Sequence, residues 1–204
     1  AHFVDTVFDP WQSIRRSVAG ENMEHLVQHE PQALHEALNR VADNLIAYSK
    51  KALSIGASGI FMSIPAAQEI VSREVFRAFV KPYARKVFEA VSGLGPMNTA
   101  HIHGKDLYFD DVLDLPVGVF SWWDRGPHGP SLEHVKARTG GCVMGGIDQT
   151  LLTQRSPAFL KAHVREGLAL GGDRRFFLAN GCSIDTWVNP VNVRAIVAAA
   201  RQAG

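Results

Sequence analysis

The feature that most constrains the fold is an alternation of short apolar runs with longer segments patterned at helical spacing, repeated along the whole chain. From Pro31 the apolar residues Leu34, Leu38, Val41, Leu45 and Ala52 recur at helical intervals until Gly56 stops them, which predicts one amphipathic helix. The run at 60–64 is short and apolar throughout, as a strand buried on both faces should be. Ser72 can cap a second helix reaching about Val91, with Val75, Phe76, Phe79, Tyr83 and Val87 on one face and a kink at Pro82. Further strand-like runs fall near 97–103, 117–122, 142–147 and 175–180, and residues 2–8 supply an opening strand. Ser156-Pro157 and Asn189-Pro190 mark two helix starts, and Gly171-Gly172 marks a stop. About six strand-helix units in alternation imply a parallel sheet covered by helices on both faces. No linker interrupts the pattern, so a single domain over residues 1–204 is expected. The Gly-rich stretch at 125–130 follows a strand and reads as an active-site loop or lid.

Composition narrows the class of function. In 204 residues, Lys and Arg number 21 against 20 Asp and Glu, a formal net charge of +1, without the basic excess of a nucleic-acid binder. No run approaches the roughly 18 continuous apolar residues of a membrane span. Two cysteines cannot form a disulfide scaffold, so a reducing, cytoplasmic setting is expected. The chain opens on Ala1 without a signal-peptide pattern, which suggests processing or a missing beginning.

Chemistry-bearing residues gather where strands end. In "NTAHIHGKD" the strand alternation puts His101 and His103 on one face. Cys182, in "FLANGCSID", follows the last strand, and in a parallel barrel the strand ends converge. Two imidazoles and one thiolate would leave a fourth position on zinc open, as catalytic zinc sites do. The plainer alternatives are a hydrogen-bonded histidine pair and an inert cysteine. Cys142, inside "CVMGGI", is expected in the core. Glu69, Asp124 and Asp148 also lie just beyond strands and are candidate acids, bases or anchoring groups, though each could instead cap a helix or pair with an arginine. Of Trp122 and Trp123, strand alternation turns one toward the strand ends and one under the helices. The glycine pairs lack the spacing of a phosphate-binding loop and are assigned to turns and close packing.

The succession "FDPWQ", "GASGIFMS", "SREVFRAFVKPYARKVFEAV", "CVMGGIDQTLL" and "FLANGCSIDTWVNPVNVRAIVAAAR" resembles the uroporphyrinogen decarboxylase family, which includes zinc-dependent corrinoid methyltransferases. The resemblance implies a (β/α)8 barrel, with this chain covering the later two-thirds and the N-terminal strands missing. It also implies a discrimination within the family. Methyltransferase members bind zinc through an H-x-C motif and a later cysteine. His101 matches the first of these ligands and Cys182 the last, while His103 stands in the place of the first cysteine. Decarboxylase members carry a histidine where this chain has Cys182, and use no metal. The expected activity is therefore zinc-dependent methyl transfer to a thiol, with Asp124 and Glu69 orienting the substrate or a ligating histidine and a corrinoid or tetrapyrrole as substrate or partner. One alternative is metal-free decarboxylation of uroporphyrinogen or a related tetrapyrrole. Another is a non-catalytic barrel fragment that forms a homo-oligomer or pairs with a chain supplying the missing strands.

Overall fold

The computed structural model describes residues 2–202. Six parallel strands form one sheet whose order follows the chain, with helices between them, the partial barrel-like α/β architecture that the alternation predicts. The chain packs as two compact units, one ending at Val119 and the other beginning at Phe120. No described helix is long and apolar enough to cross a membrane.

The first unit holds β1 (Val4–Phe8), β2 (Gly59–Ile64) and β3 (Thr99–Ile102), paired in parallel so that Phe8 lies beside Ser63 and Ser63 beside His101. After β1, Asp9 caps α1 (Pro10–Ile14), its carboxylate accepting from the backbone N–H groups of Trp11 and Gln12 at 3.1 and 3.3 Å. A π-helical turn and a 3-10 turn lead to α2 (Met23–His29) and then α3 (Pro31–Ser54), which buries Leu34, Leu38, Ala42, Ser49 and Ala52 on one face. Ser72 caps the next helix as expected, its Oγ accepting from Val75 N. That helix is not continuous: α4 (Arg73–Val75) passes through a π-helical turn at Phe76–Val80 into α5 (Lys81–Val91). The break expected at Pro82 is therefore absorbed one turn earlier, because a proline in the first turn of a new helical stretch gives up no needed N–H. α5 turns Ala84, Val87, Phe88 and Val91 inward and packs against α3.

The second unit holds β4 from Phe120 of its span Val119–Trp122, together with β5 (Cys142–Ile147) and β6 (Phe176–Asn180). Its helices are α6 (Leu132–Arg138), α7 (Pro157–Gly171) and α8 (Pro190–Gln202). Ile147, Leu152, Leu160, Val164 and Ala199 form its apolar core. α7 approaches β5 without an intervening side chain: a Cβ on Gly167 would lie 2.4 Å from the carbonyl oxygen of Gly146. Cys142 is half-buried, not in the core as expected, because it is the first residue of β5 and lies outside the interior layer led by fully buried Val143.

Candidate functional site

Each unit presents its chemistry at the C-terminal ends of its strands. In the first unit His101 is the third residue of β3 and only 6% exposed, with its ring stacked on Phe61 at 5.2 Å between centroids. His103 lies just past the strand, where its N–H continues the ladder by donating to Ile64 O at 2.9 Å. The two imidazoles are 6.1 Å apart between centroids, on one face as the alternation requires. The chain then turns at Gly104, whose φ of 114° suits glycine and where a Cβ would come 2.3 Å from that of Ala67. Glu69 is exposed, and its Oε1 accepts from Lys105 N at 2.9 Å, so it ties down the turn that follows His103.

Asp9, one residue beyond β1, is fully buried, and desolvation pushes its pKa up to about 7 against the opposing hydrogen bonds from Gln12 and Trp11. Beside it, Gln12 Nε2 donates to both the carbonyl and the hydroxyl of Ser63. The sequence analysis did not single out this carboxylate. Its signal is the Asp-Pro pair at a strand end, which marks a helix cap but does not reveal burial.

In the second unit both carboxylate oxygens of Asp124 accept from Gly146 N, at 3.0 and 3.1 Å. Gly145 leaves that space open, since a Cβ there would fall 2.3 Å from Asp124 Oδ1. Burial raises the Asp124 pKa to about 6, opposed by the Gly146 hydrogen bond and Arg125 and assisted by the negative charge of Asp148. Asp148 Oδ1 accepts from Trp123 Nε1 at 3.2 Å and from both the N–H and the hydroxyl of Thr150, so this carboxylate caps a turn and anchors a tryptophan. Trp122 is fully buried, with Nε1 donating to Pro130 O, while Trp123 is half-exposed, the division expected of the pair. The loop at 125–130 packs closely on both rings.

His163 on α7 accepts from Asp148 N at 2.9 Å through Nε2, which places its proton on Nδ1, 3.7 Å from Glu166 Oε2. Burial and then the Arg125 charge lower the His163 pKa, and Arg125 in turn binds Glu166 at 2.9 Å. This relay was not read from the sequence, where the only trace is a His-Glu pair three residues apart within a helix. Cys182 is half-buried and follows Gly181, whose N–H donates to Ile147 O at 3.0 Å and so extends the β5–β6 ladder by one residue. His101 and His103 thus stand at the end of β3 in the first unit and Cys182 follows β6 in the second, imidazole and thiol donors of the kinds zinc takes.

The family model described as "Uroporphyrinogen decarboxylase (URO-D)" matches residues 10–203. The chain belongs to the uroporphyrinogen decarboxylase family. Within the family it is 31% identical over 194 residues to a methylated-thiol–coenzyme M methyltransferase of Methanosarcina mazei, covering 91% of this chain and 49% of the relative. A uroporphyrinogen decarboxylase of Bacillus mycoides is 26% identical over 179 residues, covering 86% and 49% respectively. The chain thus spans about half the length of these curated relatives. Among solved structures, a methyltransferase from Methanosarcina mazei superposes with a TM-score of 0.83 at 23% identity, covering 99% of this chain and 59% of its own. A B12-independent methionine synthase from Shewanella sp. W3-18-1 gives a TM-score of 0.61 at 17% identity, covering 83% and 55%. Both likenesses are of fold. The family's named activities include methyl transfer and decarboxylation.

Proposed function

We propose that this family member transfers a methyl group to a substrate thiol, using a zinc ion held by His101, His103 and Cys182. One observation carries the reading: two imidazoles lie side by side at the end of β3, 6.1 Å apart between ring centroids, in a chain whose Cys182 after β6 supplies a thiol as a third donor. Three protein donors also leave a fourth position for substrate, and imidazole and thiolate are the donors zinc prefers. The 31% identity to a protein named for methylated thiols adds weight.

Zinc bound there would stabilise a thiolate at neutral pH, the form in which sulfur accepts a methyl group. The chain's own residues prepare the place. Stacking on Phe61 fixes the His101 ring, the ladder bond to Ile64 O fixes the backbone at His103, and Glu69 holds the turn beyond it. Asp148 anchors Trp123 as an apolar wall beside Gly181. Asp124, whose pKa burial raises to about 6, is suited to exchange a proton near neutral pH.

The test is metal content by mass spectrometry on protein purified without added metal. The expected result is about one zinc per chain, as a single three-donor site requires. Cys182→Ser should lose that zinc while keeping its far-ultraviolet circular dichroism. A wild-type chain that takes up no zinc even when zinc is supplied overturns the reading and leaves metal-free decarboxylation as the family chemistry to assay.

A further inference from the structure

The first unit holds a cavity of about 490 Å³ that the metal reading does not use. It is lined by the segments that follow β1 and β2, at the strand ends where parallel sheets take their ligands. Trp11, Met23, Val27, Ile70, Val71 and Val75 give it apolar walls. Two π-helical turns border it: Arg15–Ala19, whose first residue lines the cavity, and Phe76–Val80, which begins directly after Val75. Such turns are rare and recur at functional sites. The first is closed by Gly20 N–H donating to Arg15 O, and the residues that flank the closure, Arg15 and Glu21, both reach the cavity. Although opposite in charge, their exposed side chains do not pair, and among the described residues neither has another partner. Glu24, also on the cavity, accepts from Gln28 Nε2 at 3.2 Å.

We propose that this cavity binds a free α-amino acid with an apolar side chain, its carboxylate on Arg15, its ammonium on Glu21 and its side chain against the apolar walls. A guanidinium matches a carboxylate fork to fork, and a carboxylate accepts from an ammonium. A purely anionic ligand would meet Glu21 and Glu24, and a purely cationic one would meet Arg15. Two opposite charges that do not satisfy each other are satisfied together by a zwitterion. The apolar walls then reward a side chain that leaves water. The proposal needs no metal and stands whether or not the zinc reading does.

Titration calorimetry on the full chain, run in the presence of a chelator, compares L-leucine with three probes that each lack one part of it. Isocaproate lacks the ammonium, isoamylamine the carboxylate, and glycine the apolar side chain. L-leucine should bind about tenfold more tightly than each, the value of one charge-assisted hydrogen bond or of a partly buried side chain. Arg15→Gln should cost L-leucine that tenfold and leave isoamylamine unchanged. Glu21→Gln should cost L-leucine as much and leave isocaproate no weaker. Variants that weaken all four ligands alike, as a merely structural role would, overturn the assignment. So does a wild type that binds L-leucine no better than glycine, and isocaproate or isoamylamine binding as tightly as L-leucine rejects the zwitterion.

Discussion

Asp9 shows how a single buried carboxyl can set the pH response of stability. Its pKa in the folded protein, about 7, lies above the ordinary value of 3.8, so folding binds a proton there. The contribution to stability is therefore complete below pH 3.8 and is lost as the pH rises through about 7. Asp9→Asn keeps an N-cap acceptor but cannot ionise. At pH 8 it should be more stable than wild type by on the order of 4 kcal/mol, and near pH 4 about equal to it, as thermal melts across that range will measure. A stability difference that does not change with pH would reject the assignment. His163 acts in the opposite sense: its pKa is lowered, so its share of stability holds above the usual histidine range and is lost as the pH falls below it. The metal-ligand candidates were legible at this scale because spacing alone puts His101 and His103 on one face. Asp9 and His163 were not, because burial and hydrogen-bond satisfaction depend on neighbours distant in sequence.

At the scale of elements, periodicity and end signals carried most of the information. The caps at Ser72, Ser156 and Asn189 all form, each accepting from a backbone N–H in the first turn of its helix. The π-helical turn before α5 was not legible, because it depends on how Phe76, Phe79 and Val80 find buried positions while Pro82 withholds an N–H. The contact of α7 with β5 is a second such case, since a lone glycine in a helix reads only as a weak point until its neighbour is known. Gly167→Ala would add helix propensity worth about 1 kcal/mol. It would also place a Cβ 2.4 Å from the Gly146 carbonyl oxygen, where backbone must give way. We expect the overpacking to win, with a net loss of about 1–2 kcal/mol in urea unfolding. A stabilised variant would show that α7 has room to retreat. Because His163 lies one helical turn before Gly167, the same substitution should weaken its bond to Asp148 N and slow hydrogen exchange of that amide less than in wild type.

For the whole molecule, the proposed metal site couples ligand binding to folding. Anything that binds only the folded state stabilises it by mass action, about 2.7 kcal/mol when the ligand is present at one hundred times its dissociation constant. Saturating zinc should therefore raise the melting temperature of the wild type, a chelator should lower it, and neither should move Cys182→Ser by a comparable amount. Equal shifts in both proteins would locate the bound zinc elsewhere. The donors lie at the ends of β3 and β6, far apart along the chain, and this spacing carries a consequence for synthesis. At about 5–20 residues per second, a ribosome adds Cys182 roughly 4–16 s after His103. During that interval the nascent chain offers the metal two imidazoles and no thiol from this set. Loading of the proposed centre is thus a late event in the birth of the protein, and a chain stalled before its last strand would leave the ribosome without the means to keep its ion.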